Sequence, residues 1–365
     1  MFHLLLCCVL LAGCQRDSMP MNGLPVPDPS RPITLTVDIV ESAVTRGSAP
    51  ITKDNLLNIG MFAGFEQTDD FSETSRSDSY ISNSQYYYRM AEARWEWSQP
   101  TYWPMNGRLS FFAYTPYSGS MRLADNTGYP AIQYTPSTDV SSQVDFCMAE
   151  PMLDCDDKTH SLPLTFRHCL TAVRLMLNYT GTLPSSDYYV KIDRITLGGL
   201  IGTKNVRYTR TEPYFQWDDD VDSLRTASYT LTRKFKSTEY QIWDRELPLR
   251  NTDNSNHIQI NSENGSKGML YLLPQQLDGG VRISVAYGFY VQDGDKERPV
   301  MQFETEAPLP NPTEPYTGWE PGLCVRYYAT LDVGHSRILD LVPEESMTMI
   351  EEYVNSTSKP DQMIE

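Results

Sequence analysis

Long apolar runs are almost missing from this 365-residue sequence. The longest, residues 4–14 (LLLCCVLLAGC), falls short of the roughly 20 apolar residues that a membrane-spanning helix needs. Positive charge is scarce as well: 30 Lys and Arg against 47 Asp and Glu leave a formal charge of −17. That balance argues against nucleic acid as a partner and against electrostatic adhesion to anionic lipid. Histidine occurs only 5 times. No GxSxG, HExxH, P-loop or dinucleotide fingerprint is present, and His160, His168, His257 and His335 have no sequence-level link to a nucleophile or a carboxylate pair. A non-enzymatic protein without a cofactor is therefore expected. No CxxC or Cys/His spacing marks a metal, and none is expected.

What the sequence does have begins at its N-terminus. The short apolar run ends in small residues and is followed at once by Gln15-Arg16-Asp17, which reads as an export signal rather than as structure. Leu11-Ala12-Gly13-Cys14 looks like a bacterial lipobox, so cleavage before Cys14 and diacylglyceryl transfer to its thiol are expected. Lipid attachment through Cys14 is then covalent, each buried CH₂ contributing about 0.8 kcal/mol. No Lys or Arg precedes the run, which fits a translation start upstream of Met1. Residues 15–32 carry five prolines and read as an extended tether. With Cys7 and Cys8 removed and Cys14 acylated, four cysteines remain: Cys147, Cys155, Cys169 and Cys324. Their spacing leaves three disulfide pairings, a Cys147–Cys155 bridge among them, and buried free thiols all open.

Tyrosine (23) and proline (25) are abundant and sustained helical periods are few, which favours a β-rich fold. Ile33–Val40 alternates cleanly, with Ile33, Leu35, Val37 and Ile39 as the inward set. Glu41–Pro50 is a polar loop in which Arg46 is open to a trypsin-like, Arg-specific protease. Asp54–Phe65 suggests a short helical turn running into a strand, and 66–84 a polar loop. Aromatic residues then crowd together from Tyr86 to Tyr117. As a glycan platform they need exposed, coplanar rings, whereas strand aromatics usually fill a sandwich core.

Leu162, Leu164, Phe166, His168 and Leu170 occupy even positions, and Val173, Leu175, Leu177 and Tyr179 odd ones. A one-residue phase shift turns every side chain to the other face, so this is either a bulge within one sheet or a strand leaving one core for the next, and with similar lengths of chain on each side the second is expected. His168 reads as a hydrogen-bonded core histidine. Val281–Val291 and Leu323–Val333 alternate as long strands, and the acidic loops Asp218–Asp222 and Asp293–Asp295 read as solvated hairpin tips. Ile338-Leu339-Asp340-Leu341-Val342 is a short apolar strand ahead of a polar tail. The expected organisation is a signal (1–13), a tether (14–32), an N-terminal sandwich (33–170), a C-terminal sandwich (171–342) and a tail (343–365).

Several of these segments also carry a family resemblance. Asn58-Ile59-Gly60-Met61-Phe62-Ala63, Trp103-Pro104, Leu109–Tyr114, Leu164-Thr165-Phe166-Arg167-His168-Cys169-Leu170, Trp319-Glu320-Pro321-Gly322 and Tyr327-Tyr328-Ala329, with the Thr45-Arg46-Gly47 loop, resemble the fimbrillin-like lipoproteins of Bacteroidales. The likeness extends from the signal to about residue 342. It implies an all-β fold of two tandem transthyretin-like β-sandwich domains with Greek-key-like connections. It further implies a fimbrial structural subunit on the cell surface, anchored to the outer membrane through Cys14 and serving adhesion. Its partners are other fimbrial subunits. Protease cleavage between Arg46 and Gly47 would free the first strand, and Ile338, Leu339, Asp340, Leu341 and Val342 would serve as the donor strand inserted into a neighbour. Asp17-Ser18-Met19 and Asp222-Ser223-Leu224 resemble an O-glycosylation signal of the same bacteria, at Ser18 and Ser223. The alternative is a monomeric glycan-binding lipoprotein that uses the Trp95–Trp103 aromatics.

Overall fold

The computed structural model describes residues 25–39, 51–68, 70–74, 78–125, 127–156, 158–159, 161–232, 258–259, 269–278 and 280–346. The chain is built almost wholly from strands. The first seven are β1 (Pro27–Pro32), β2 (Leu35–Ile39), β3 (Asn58–Glu66), β4 (Asp78–Arg89), β5 (Arg94–Trp97), β6 (Tyr102–Pro104) and β7 (Arg108–Thr115). Then come β8 (Leu123–Asp125), β9 (Ala131–Tyr134), β10 (Cys147–Ala149), β11 (Met152–Cys155), β12 (Leu162–His168) and β13 (Thr171–Thr180). β14 (Tyr189–Leu200), β15 (Lys204–Tyr208), β16 (Phe215–Trp217), β17 (Ala227–Thr232), β18 (Ile258–Gln259) and β19 (Leu270–Leu272) follow. The last four are β20 (Arg282–Asp293), β21 (Lys296–Pro308), β22 (Cys324–Asp332) and β23 (Arg337–Ser346).

An eight-stranded sheet holds the early strands in the order β2-β12-β10-β7-β3-β4-β5, with β11 also on β7. Its inner face encloses Ile33, Leu35, Ile59, Met61, Phe65, Tyr86, Phe111, Leu164 and Phe166. The five-stranded sheet β18-β13-β22-β23, with β19 on β13, and the four-stranded sheet β17-β14-β20-β21 form a sandwich. Val173, Leu175, Leu177, Ile195, Ile283, Val285, Tyr287, Val325 and Tyr327 fill it from both sides. The phase shift near Thr171 is therefore a change of sheet: β12 pairs with β2 and β10, whereas β13 pairs with β22 and β19.

A third core joins these two bodies. The sheet β16-β15-β9-β8 takes two strands from before residue 170 and two from after it. Behind it Phe62, Phe112 and Tyr114 meet Ile132, Val206, Tyr208, Trp217, Tyr271 and Cys324. This explains why β3 and β7 read as nearly continuous apolar runs: both of their faces are covered, one by each core. Gly60 of β3 is obligatory here, since a Cβ at that position would collide with the Tyr114 ring.

Some sequence expectations are corrected. The segment 66–84, expected as a polar loop, enters β4 at Asp78. β1 lies inside the expected tether, where it pairs with β6, and β23 continues to Ser346 past the expected start of the tail. All four described cysteines are free and buried, so the Cys147–Cys155 bridge does not form. Asp293-Gly294-Asp295 does turn the β20–β21 hairpin, but Asp220 is more than a solvated tip. Its carboxylate takes Lys204 Nζ at 2.8 Å, Arg225 Nη2 at 3.5 Å and the Gln276 amide at 2.7 Å. Both cationic side chains are under a tenth exposed, so this ion cluster ties β15 to the chain leading into β20.

Candidate functional site

The first strand of the eight-stranded sheet is one of its two edges. β2 is five residues long and lies parallel to β12, in register from Leu35↔Leu162 to Ile39↔Phe166. β12 is its single strand partner among the described residues. Alternation does the rest. Ile33, Leu35 and Ile39 are 0%, 9% and 4% exposed and plug the core, while Thr34, Thr36 and Asp38 face outward. Just before β2, the Ile33 amide donates to Thr101 O at 3.0 Å.

On the free side of β2 the sheet does not close. β2 and β5, the two ends of the strand order, border a groove of about 730 Å³ lined by Thr34–Val37 on one side and Ala93–Trp97 on the other. A second recess of about 450 Å³, sharing Val37 and Trp95, continues past Lys53, Leu56, Tyr88 and Met90. Trp95 and Trp97 pack against the core with the rings of Tyr88 and Tyr86 beside them, at centroid distances of 5.4 and 6.1 Å and interplanar angles of 54° and 65°. Trp103 is buried edge-on to Phe111. These rings are neither coplanar nor free, so the aromatic cluster fills a core rather than forming a platform.

At the other end of the chain β23 is also an edge strand, antiparallel to β22 with eight register pairs. Ile338 and Leu341 are half-buried against the sandwich core and Val342 is 52% exposed. Asp332 closes the β22–β23 turn: its carboxylate accepts the Gly334 and His335 amides, His335 Nδ1 at 2.9 Å and Arg337 Nε at 3.1 Å. Burial pushes this carboxyl up, but the His335 and Arg337 hydrogen bonds outweigh it and leave it below the usual range. Ser223 is exposed in a single 3₁₀ turn, Asp222–Leu224. Cys14, Ser18, Arg46 and Gly47 lie outside the described residues.

The histidines gather no surface chemistry. His168 is the core histidine expected: its Nδ1 donates to Asp145 Oδ2 at 2.6 Å, with Cys147 Sγ 3.4 Å from the same nitrogen. Asp145 went unnoticed in the sequence, because it lies just before β10 and meets His168 only through the pairing of Cys147 with His168 across the sheet. A cysteine protease arrangement is ruled out here. Cysteine and carboxylate share one ring nitrogen instead of using both, and burial followed by the Asp145 charge pushes the Cys147 thiol well above its ordinary range. His335 pairs with Asp332 at the turn, and His160 and His257 lie outside the described residues.

Comparison with known proteins places this geometry. No curated protein sequence matches the chain. Among solved structures it is similar to a fimbrial protein from Bacteroides vulgatus, at 16% identity, a TM-score of 0.57, and 86% and 98% coverage of the two chains. A candidate cell adhesion protein from Bacteroides uniformis aligns at 14% identity and a TM-score of 0.46 over 87% and 98%. The fimbrial anchor protein Mfa2 from Porphyromonas gingivalis aligns at 7% and 0.33 over 86% and 97%. The first of these likenesses shows the all-β sandwich fold. The sequence model of the fimbrillin-like family matches residues 45–322, more than half of the chain, and the protein accordingly belongs to the fimbrillin-like family.

Proposed function

We propose that this chain is a structural subunit of a cell-surface fimbrium, serving adhesion and built by strand exchange between subunits. Family membership supports the fimbrial role. The single observation that carries the assembly route is β2: an edge strand in a one-sided ladder whose inward residues plug a core. In this reading the chain is exported, acylated at Cys14 and held at the outer membrane with 33–170 and 171–342 as its two sandwiches. An Arg-specific protease then cuts between Arg46 and Gly47. Loss of the first strand uncovers Leu162, Leu164 and Phe166 together with the open edge of β12, and a strand from another subunit restores both by β-augmentation. The Ile338–Val342 segment is the donor. Because β23 is docked on β22, donation exchanges one ladder for another, and the refilled apolar groove supplies the drive. Ser18 and Ser223 are the proposed glycan attachment points.

The test is limited trypsin treatment of the purified protein. Nicked chains are expected to leave the monomer peak on gel filtration and run as heat-labile ladders in unboiled gels, while Arg46→Ala stays monomeric. Nicked protein that remains monomeric at high concentration, or ladders that persist after deletion of residues 337–365, would sink the route. Membrane release by Cys14→Ala checks the anchor separately.

A further inference from the structure

Two strands of the eight-stranded sheet bring together a second kind of site. Cys147 of β10 lies directly opposite His168 of β12 in the register, and Asp145, in the segment just before β10, brings its carboxylate beside them. Their ligand atoms lie within 4.8 Å of one another and all three residues are buried. The separations are 3.4 Å from Cys147 Sγ to His168 Nδ1, 3.8 Å from Sγ to Asp145 Oδ2 and 2.6 Å from Nδ1 to Oδ2.

A tetrahedral zinc with bonds of 2.0–2.3 Å keeps its ligand atoms roughly 3.2–3.8 Å apart. Two of the three edges already have that length. The third is shorter because a proton sits on it, and it opens by about 0.6 Å when a metal takes the proton's place. A second observation points the same way. Asp145 Oδ2 carries the Ile51 amide at 2.9 Å as well as its two side-chain neighbours, whereas Asp145 Oδ1 is buried with no hydrogen-bond partner. An orphaned carboxylate oxygen in the core is costly unless something uses it. Asp145 thus has a free oxygen to turn toward an ion held by the three ligand residues, one sulfur, one nitrogen and one carboxylate.

We propose that Asp145, Cys147 and His168 form a structural zinc site in the core of the N-terminal sheet. Charge balances on loading: the divalent ion replaces the Cys147 thiol proton and the proton between His168 and Asp145, both of which leave to solvent. The mixed sulfur, nitrogen and oxygen set suits zinc better than calcium or magnesium, which take oxygen alone. The bound ion staples β10 to β12 and, through the Ile51 amide, fixes the chain ahead of β3.

The full chain, expressed in zinc-supplemented or cobalt-supplemented medium and passed through a desalting column, tests this. Zinc measured by plasma mass spectrometry should reach about one ion per chain, and the cobalt form should show a thiolate-to-cobalt band in the near ultraviolet. Cys147→Ser should lose the band and most of the zinc, whereas Cys155→Ser should keep both. Wild-type protein holding less than about a tenth of an equivalent, with no thiolate band, would mean a purely structural Asp–His pair and overturn the site. So would a band that survives in Cys147→Ser. Should that variant fail to fold, the wild-type metal content and band decide alone, and His168→Gln serves as the second variant.

Discussion

β2 and β23 are both edge strands, near opposite ends of the chain, and they are held by different physics. β2 has a short parallel ladder and a buried apolar face, so its hold is hydrophobic and sits almost wholly in Ile33, Leu35 and Ile39. β23 has a longer antiparallel ladder, half-buried apolar residues and a turn fixed by Asp332, so its hold is in backbone and polar bonds. A strand held by burial leaves a wound when it goes. A strand held by its ladder can leave one sheet and be satisfied in another, since any extended partner offers the same bonds. On the proposed assembly route this difference suits β2 to the part of removable plug and β23 to that of transferable strand.

The largest effect that separates them is removal. Withdrawing Ile33, Leu35 and Ile39 exposes three large side chains at about 1.5–3 kcal/mol each, hence roughly 5–9 kcal/mol, comparable with the whole stability of a domain. Urea denaturation should show a far lower midpoint for protein nicked and stripped of its first strand than for protein truncated before Arg337. The reverse order would break the comparison.

A single-residue version is gentler. Leu35→Ala should cost roughly 2–4 kcal/mol, as for other large-to-small core changes. Val342→Ala, at a position 52% exposed, should stay within about 0.5 kcal/mol. Equal losses in chemical denaturation would show that β23 is as deeply keyed as β2.

The smallest effect is in pH. The Asp332 carboxyl lies below its ordinary 3.8 in the folded chain, so the stability it contributes is present above that value and is lost as pH falls through the folded value. Hydrogen exchange in the β22–β23 hairpin should therefore speed up in acid while the β2 amides other than Ile39, which donates to Asp38 Oδ1 at 3.0 Å, change less. In Asp332→Asn the hairpin should already exchange faster at neutral pH and show a weaker acid dependence. A variant whose acid dependence matched the wild type would detach the turn from Asp332.

Much of this comparison was legible in the sequence. Strict alternation from Ile33 to Ile39 identified a one-faced strand, and the shift of phase at Thr171 identified the change of sheet, because period-two patterns report faces directly. The features that escaped are non-local. Asp220 sits in a run of acidic residues that reads as solvent-facing, yet its partners Lys204 and Gln276 come from distant strands and loops. Asp145 looked ordinary because its meaning depends on register: only the pairing of β10 with β12 sets His168 opposite Cys147. β4 was hidden because Asn83, with a φ of 58°, and the irregular register with β3 break the alternation between the buried Ile81 and Tyr86, which fall on positions of opposite parity. The expectations for Arg46, Cys14 and Ser18 rest on sequence, since these residues lie outside the described ones.

The sheet built from β8, β9, β15 and β16 carries a consequence in time. Lys204 pairs with Tyr134 across seventy residues of chain, so as the chain folds Phe112, Tyr129 and Ile132 stay uncovered until β15 and β16 arrive. Such a chain cannot mature one half after the other. Until its later strands are in place it is a sticky intermediate whose safety depends on how fast they arrive.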